Sequence, residues 1–221
     1  MSLTKSVIWD LDGVIVDTAP YHFEAWREVF RKRGIDFTRE HFKESFGQRN
    51  DAIIRKVLGE EVSQQEIDVI SLEKEEIFRR KVKPNLKLLP GVLGLLESLA
   101  RDGFKMALAS SAPIENIRLV TEGLDIGRYF QIIVSDKDVT EGKPSPQGFL
   151  LAAQRLGIDP SRCIVIEDSI AGVAAAKRAG MHCLAVINTH PRESLGEADL
   201  IVDTLEKVTT KDLEKLIGSY Q

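Results

Sequence analysis

An α/β fold is predicted: a Rossmann-like parallel sheet core with a helical cap domain inserted after the first strand. Three observations predict it. The apolar run Val7-Ile8-Trp9 ends on Asp10-Leu11-Asp12-Gly13, the pattern of a buried strand meeting a loop. From Pro90 onward short apolar runs alternate with helical periodicity, which implies βαβ units, a parallel sheet and right-handed crossovers. Between Val16 and Leu88 the patterning is helical, with no strand-like run.

The first strand covers 7–10. Asp17-Thr18-Ala19-Pro20 then supplies a polar start with an early proline, a helix N-terminus, and Phe23, Trp26 and Phe30 recur on one face of a helix over 20–33 that Gly34 ends. Further helices are expected over 39–45, 51–58 and 63–81, punctuated by Gly47 and Gly59. After Pro90-Gly91 the expected order is helix 91–101, strand 104–110, helix 113–123, strand 131–135, helix 146–156, strand 163–167, helix 169–179, strand 182–187 and a short strand at 200–202. The core domain is accordingly 1–16 with 86–221. The cap is 17–85, over the carboxyl end of strand one, where open α/β sheets bind ligands.

Composition bounds the function classes. A chain of 221 residues can bury a sizeable core, and 43% hydrophobic with 29% charged residues is an ordinary globular balance. The net charge of −4 gives no global reason for nucleic-acid or membrane binding, so neither partner is expected and a small anion needs a local site. Cys163 and Cys183 each lie in an apolar run and read as buried reduced thiols in strands; no Cys-x-x-Cys or Cys/His cluster suggests zinc. No apolar run approaches the length of a membrane span, and residues 1–6 are too short and polar for a signal peptide. A cytoplasmic monomer is the expectation.

Asp10 and Asp12, two positions apart, repel each other unless a cation or a shared proton sits beside them, although a simple strand-end turn uses the same residues. Ser110-Ser111 ends the second strand with hydroxyls that can donate to an anionic oxygen or cap a helix. Lys143 precedes Pro144, which restricts it away from the helical region; such a lysine is either solvated or directed. Glu167-Asp168-Ser169 ends the strand 163–167, followed by Gly172 and the small-residue run Ala174-Ala175-Ala176; Ser169 also suits a plain N-cap. Parallel strand ends adjoin, so Asp10, Asp12, Ser110, Lys143, Glu167 and Asp168 are expected to converge. Several carboxylates on one pocket call for a hard cation, and magnesium (Mg2+), which takes oxygen ligands and bridges to phosphate, fits best. Calcium is the rival, but the twelfth position of an EF-hand loop begun at Asp10 is Tyr21, and a strand precedes it.

Asp10-Leu11-Asp12-Gly13-Val14, the serine after the second strand, Lys143-Pro144 and Glu167-Asp168-Ser169-x-x-Gly172, in that order, resemble the four motifs of the haloacid dehalogenase-like (HAD) phosphotransferase superfamily. The helical section resembles its α-helical cap and is similar to that of the β-phosphoglucomutase and phosphatase branch. The resemblance implies that Asp10 attacks phosphorus to form an aspartyl-phosphate, that Asp12 is general acid and base, and that Ser110 and Lys143 hold the phosphoryl oxygens. It also implies magnesium held by Asp10, Asp168 and the backbone carbonyl of Asp12, with Glu167 assisting. An acid at Asp12 suits an alcohol leaving from phosphate, whereas halide leaves without a proton, so dehalogenation is set aside.

In the cap, Tyr21-His22-Phe23-x-Ala25-Trp26 is similar to the family's first cap helix, which implies substrate-binding positions for His22 and Trp26. The alternative is an aromatic core pair with a satisfied histidine beside Asp17. Lys74, in phase with Ile67, Ile70 and Ile77, interrupts an apolar stripe and either snorkels outward or faces the cleft; the family carries a phosphate-binding cap lysine in this region. The loop Gly47-Gln48-Arg49-Asn50-Asp51 can present Arg49 to an anion, and it is more similar to the phosphatase branch than to the mutase. Ser111 joins the substrate side of the site. The expected activity is a Mg-dependent phosphatase acting on a small phosphorylated metabolite, a sugar phosphate. A β-phosphoglucomutase-type phosphotransferase is the rival, and a phospho-receiver module is disfavoured because it has neither cap nor leaving-group acid. His190 and Arg192 follow the strand 182–187 and either reach the site or belong to a surface loop.

Overall fold

The structure, a computed structural model, describes residues 5–218, so the reading of residues 1–6 falls mostly outside it. Strand β1 (Ser6–Trp9) is buried on both faces, with Val7 and Trp9 in one apolar cluster and Ile8 in the other. Alternate residues of a strand point to opposite faces, so a strand covered on both reads as an unbroken apolar run. β1 pairs in parallel with β2 (Lys105–Ala109) and β4 (Cys163–Glu167). Beyond them lie β3 (Ile132–Val134), β5 (His182–Val186) and β6 (Leu200–Val202), giving the order β3-β2-β1-β4-β5-β6. The chain winds outward from β1 to β3 and then returns to β4 on the other flank of β1. That reversal is the topological switch at which α/β sheets open a crevice.

One face of the sheet is covered by α5 (Val92–Arg101), α6 (Ile114–Gly123) and α9 (Thr210–Gly218) through Leu96, Leu99, Ile117, Val120 and Leu213. The other is covered by α7 (Gln147–Leu156) and α8 (Ile170–Arg178), with Phe149, Ala152, Ala175 and Ala176 against the strands. Both cysteines are buried free thiols in β4 and β5, as their apolar runs predict. The α/β pattern holds, with element ends displaced by one or two residues. Helix α9 lies outside the sequence expectation, although Leu213, Leu216 and Ile217 carry helical spacing and pack on the core.

The helical section contains α1 (Ala19–Arg31), α2 (Arg39–Lys43), α3 (Asn50–Leu58) and α4 (Gln64–Val82). It has its own apolar cluster, in which Trp26 and Phe30 of α1 meet Ile67, Ile70 and Ile77 of α4. Ser63 caps α4 by accepting from the Glu66 backbone N–H, while the Glu66 carboxylate accepts from Ser63 N. The entry and exit strands adjoin: Val16 bridges Leu88, and Leu89 N donates to Ile15 O at 2.9 Å. The insertion therefore stands directly over the end of β1.

Candidate active site

The parallel register aligns Trp9 with Leu108 and Ile166, so Asp10, one residue on, is level with Ala109 and Glu167. Two close approaches make this possible. Gly13 has φ +84, and a Cβ there would lie 1.9 Å from Asp168 Oδ2. A Cβ on Gly172, in the first turn of α8, would lie 1.8 Å from Glu167 Oε1. Glycine is what lets the loop after β1 and the start of α8 crowd onto the carboxylates at the end of β4.

Asp10, Glu167 and Asp168 are all buried, and one oxygen from each lies within 4.8 Å of the others. Lys143 Nζ donates to Asp10 Oδ1 at 2.5 Å and also to Glu167 Oε1. The Lys143–Pro144 peptide is cis. Glu167 Oε2 accepts from the backbone N–H groups of Asp168 and Ser169, each at 2.8 Å, so both its oxygens are engaged. Asp168 accepts from the Thr189 hydroxyl. Burial raises the pKa of Asp10, and Glu167 and Asp12 add to this against the pull of Lys143, pushing it up to about 8. Burial and Glu167 hold Asp168 well above the ordinary carboxylate range. Burial opposes the charge on Lys143, but Asp10 and Glu167 outweigh it and raise its pKa. Asp10 and Glu167 thus share one lysine and Asp168 has a hydroxyl donor, so a single cation faces three buried carboxylates, an oxygen-only donor set that cannot be fully ionised without a further positive charge. Such a set fits a hard divalent cation.

Asp12 has different surroundings. Its carboxylate is outside the acidic triad and faces the cap, where Thr18 Oγ1 donates to Oδ1 at 2.6 Å and His22 Nε2 lies 3.3 Å from the same oxygen. His22 Nδ1 lies 2.9 Å from Lys74 Nζ, and its ring stacks on Phe78 at 3.8 Å. Burial pushes Asp12 upward, but His22, Thr18 and Lys74 outweigh it and keep its carboxyl below the usual range. His22 thus partners Asp12 rather than Asp17, which is exposed. Lys74 does not snorkel: it is 2% exposed, donates to Glu75 Oε1 at 2.6 Å and sits 5.0 Å over the Trp26 ring.

A cleft of about 480 Å³ runs between the sheet end and the cap, and Asp10, Asp12, Ser110, Ser111, His22, Trp26 and Lys74 all line it. Ser110 Oγ accepts from Ala112 N at 3.1 Å, which leaves its own proton to donate. Trp26, besides lining the cleft, is a core residue stacked on Phe30 at 5.3 Å. Lys143 and Arg49 line an adjoining pocket of about 350 Å³. Arg49 itself bridges cap to core: Nη1 donates to the backbone carbonyls of Asp136 at 3.0 Å and Val139 at 2.7 Å, and Nε to Asp51. Arg192 is a surface residue donating to Asp203 and Ile201 O. His190 is buried, and burial holds its pKa below the ordinary value.

Four polar partners escape the sequence reading: Thr18, Glu75, Asn116 and Thr189. Thr18 had a signal, its place at the start of α1, but as a helix boundary and not as a hydrogen-bond donor to Asp12. Glu75 adjoins Lys74 in the sequence and is 4% exposed, yet a charge beside a charge reads as a solvated helix face. Asn116 and Thr189 reach the site only through tertiary packing.

The model of the haloacid dehalogenase-like hydrolases matches residues 4–180. The β-phosphoglucomutase of Bacillus subtilis is 35% identical over 98% of this chain and 97% of its own. The phosphorylated carbohydrates phosphatase of Thermotoga maritima is 34% identical over 80% of this chain and 82% of its own. The crystal structure of a β-phosphoglucomutase from Clostridium difficile superposes with a TM-score of 0.91 at 29% identity, covering 99% of both chains. Sequence, fold and the cluster at the end of β1 and β4 agree, and the chain belongs to the haloacid dehalogenase-like hydrolase family.

Proposed function

We propose that the protein is a magnesium-dependent phosphatase that hydrolyses a small phosphorylated metabolite, a sugar phosphate, through an aspartyl-phosphate on Asp10. The observation that carries this reading is the division of surroundings between two carboxylates on one strand end: Asp10 beside Lys143 and the acidic triad, Asp12 beside hydroxyl and imidazole donors over the cleft. Asp10 and Asp168 would be the side-chain ligands for the metal, since Glu167 is committed to Lys143 and to the turn after β4. Bound magnesium supplies the positive charge that keeps Asp10 ionised and offsets its repulsion from the phosphate.

An Asp10 oxygen attacks phosphorus and the P–O bond to the alcohol breaks, while the Asp12 carboxyl gives its proton to the departing oxygen. The arriving phosphate dianion adds negative charge beside Asp12 and favours its protonated form at that stage. Asp12 then takes a proton from water, whose oxygen attacks the phosphorus and releases inorganic phosphate and Asp10. Lys143 and Ser110 donate to the phosphoryl oxygens as charge builds on them. His22 and Trp26 contact the sugar side.

The second reading, a β-phosphoglucomutase-type phosphotransferase, is favoured by the 35% identity to the Bacillus subtilis enzyme of that name. Hydrolysis is preferred because Arg49 is spent on core carbonyls and does not face the cleft as a free cation. A magnesium-supplemented screen of phosphorylated metabolites tests the choice. Release of inorganic phosphate is expected; conversion of β-glucose 1-phosphate to glucose 6-phosphate without free phosphate would overturn it.

A further inference from the structure

On the wall of the cleft, Glu75 is a buried carboxylate between cap and core. Its Oε1 accepts from Lys74 Nζ at 2.6 Å and Asn50 Nδ2 at 2.8 Å, and its Oε2 accepts from Asn116 Nδ2 at 2.5 Å. The Asn116 amide is oriented in turn by Arg79, which donates to its Oδ1 at 3.0 Å. Asn116 belongs to α6 in the core, whereas Glu75, Arg79 and Asn50 belong to the cap. Burial disfavours the charge on Glu75, yet Lys74, His22 and Asn116 hold it below the ordinary range, so it is a carboxylate at neutral pH.

Among the described residues lining the cleft, Lys74 is the one fixed cation, and Glu75 matches its charge. Arg49 is turned to the carbonyls of Asp136 and Val139, and Lys143 to Asp10 and Glu167. The far end of the cleft therefore offers an amide pair, Asn50 and Gln48, and the rings of Trp26, Phe42 and Phe46, but no unmatched positive charge. Amides and aromatic faces suit hydroxyls and C–H surfaces. A second phosphate would bring two negative charges to a wall that already carries Glu75.

We infer that Glu75 is a specificity-determining residue: by neutralising Lys74 it restricts the leaving group to neutral polyhydroxy alcohols and excludes bisphosphates. This rests on the phosphatase reading above and goes on to name the substrate class.

Matched pairs of esters test it, glucose 6-phosphate against glucose 1,6-bisphosphate and fructose 6-phosphate against fructose 1,6-bisphosphate. Each is assayed as a substrate and as a competitor of p-nitrophenyl phosphate, so that weak turnover still yields an affinity. The wild type is expected to favour the monophosphate by at least about tenfold in both pairs. Glu75→Gln leaves Lys74 unmatched and should narrow that ratio through the KM or inhibition constant of the bisphosphate. Removing both charges, Lys74→Gln with Glu75→Gln, should restore the preference, which a merely structural role for Glu75 would not do. Equal or better binding of the bisphosphates by the wild type overturns the inference, as does a ratio indifferent to Glu75→Gln. A wild type that fails to hydrolyse p-nitrophenyl phosphate with magnesium sinks the phosphatase reading instead, and the competitor arm, read by direct calorimetric binding, still decides the preference.

Discussion

Lys74 Nζ lies 2.9 Å from His22 Nδ1, and because an ammonium has only donors, that contact makes Nδ1 the acceptor and turns the Nε2 proton toward Asp12. A cap lysine thereby sets the tautomer of the histidine that holds Asp12, the carboxylate proposed as general acid and base. Substituting His22→Ala should lower kcat on alkyl phosphates by about 10²-fold, within the range general acid–base groups contribute. The loss on p-nitrophenyl phosphate, whose leaving group needs little protonation, should be much smaller. Equal losses on both esters would mean that His22 acts on binding alone.

Asp10 and Asp12 sit on one turn but are expected to fail differently. Asp10→Asn removes the carboxylate proposed as nucleophile and should abolish turnover of every ester while leaving the circular dichroism spectrum unchanged. Asp12→Asn should cost about 10² to 10⁴-fold on alkyl esters and much less on activated aryl esters. Metal-dependent hydrolysis surviving in Asp10→Asn would refute the nucleophile assignment.

Crowding at the acidic triad links metal, proton and stability. Asp10 stands at about 8 against an ordinary 3.8, so the metal-free folded state binds its proton more tightly than the unfolded chain. Its contribution therefore makes the metal-free protein less stable as pH rises from about 4 to about 8, where the effect levels off. Magnesium favours the ionised form and should raise Tm more at pH 8 than at pH 6. Calorimetry at pH 7 in two buffers of different ionisation enthalpy should register proton release on binding.

The close approach at Gly172 can be tested by adding one methyl. A Cβ there would meet Glu167 Oε1 at 1.8 Å and Glu167 Cδ at 1.9 Å, so Gly172→Ala must displace the carboxylate that holds Lys143. Activity should fall by at least about tenfold, with a destabilisation of about 1 to 3 kcal/mol from overpacking. Thermal unfolding and steady-state kinetics separate the two effects.

Glu75 should reveal itself in acid. Its folded pKa lies below the ordinary 4.5, because Lys74, His22 and Asn116 outweigh burial. A carboxylate so depressed stabilises the fold above its unfolded pKa and loses that contribution as pH falls through the folded value. Glu75→Gln is expected to cost about 1 to 3 kcal/mol at pH 7, the scale of a buried hydrogen-bonded charge. Denaturant unfolding at pH 7 and pH 4 should show this cost shrinking at the lower pH; an unchanged cost would mean that Glu75 is neutral in the folded protein.

Much of the core site could be read from the chain because its chemistry sits at strand ends, where an apolar run stopping on Asp10, Ser110 or Glu167 marks both the fold and the residue. Periodicity fixes which residues are buried, and parallel topology then brings strand ends together, so Asp10, Lys143, Glu167 and Asp168 are legible without coordinates. The cap resisted the same treatment. Lys74 had two readings, outward or inward, and only the packing of α4 on α1 decides for inward, since helical phase does not say which face meets the sheet. Arg49 reads from the sequence as a candidate anion ligand, and only the docking of cap on core shows its guanidinium donating to the carbonyls of Asp136 and Val139 beside the pocket it shares with Lys143. Glu75 and Asn116 are 41 residues apart and meet across the cap–core boundary. Local sequence carries periodicity and turn chemistry, but hydrogen bonds between distant side chains exist only once two elements have docked, and those bonds make up the far wall of the cleft.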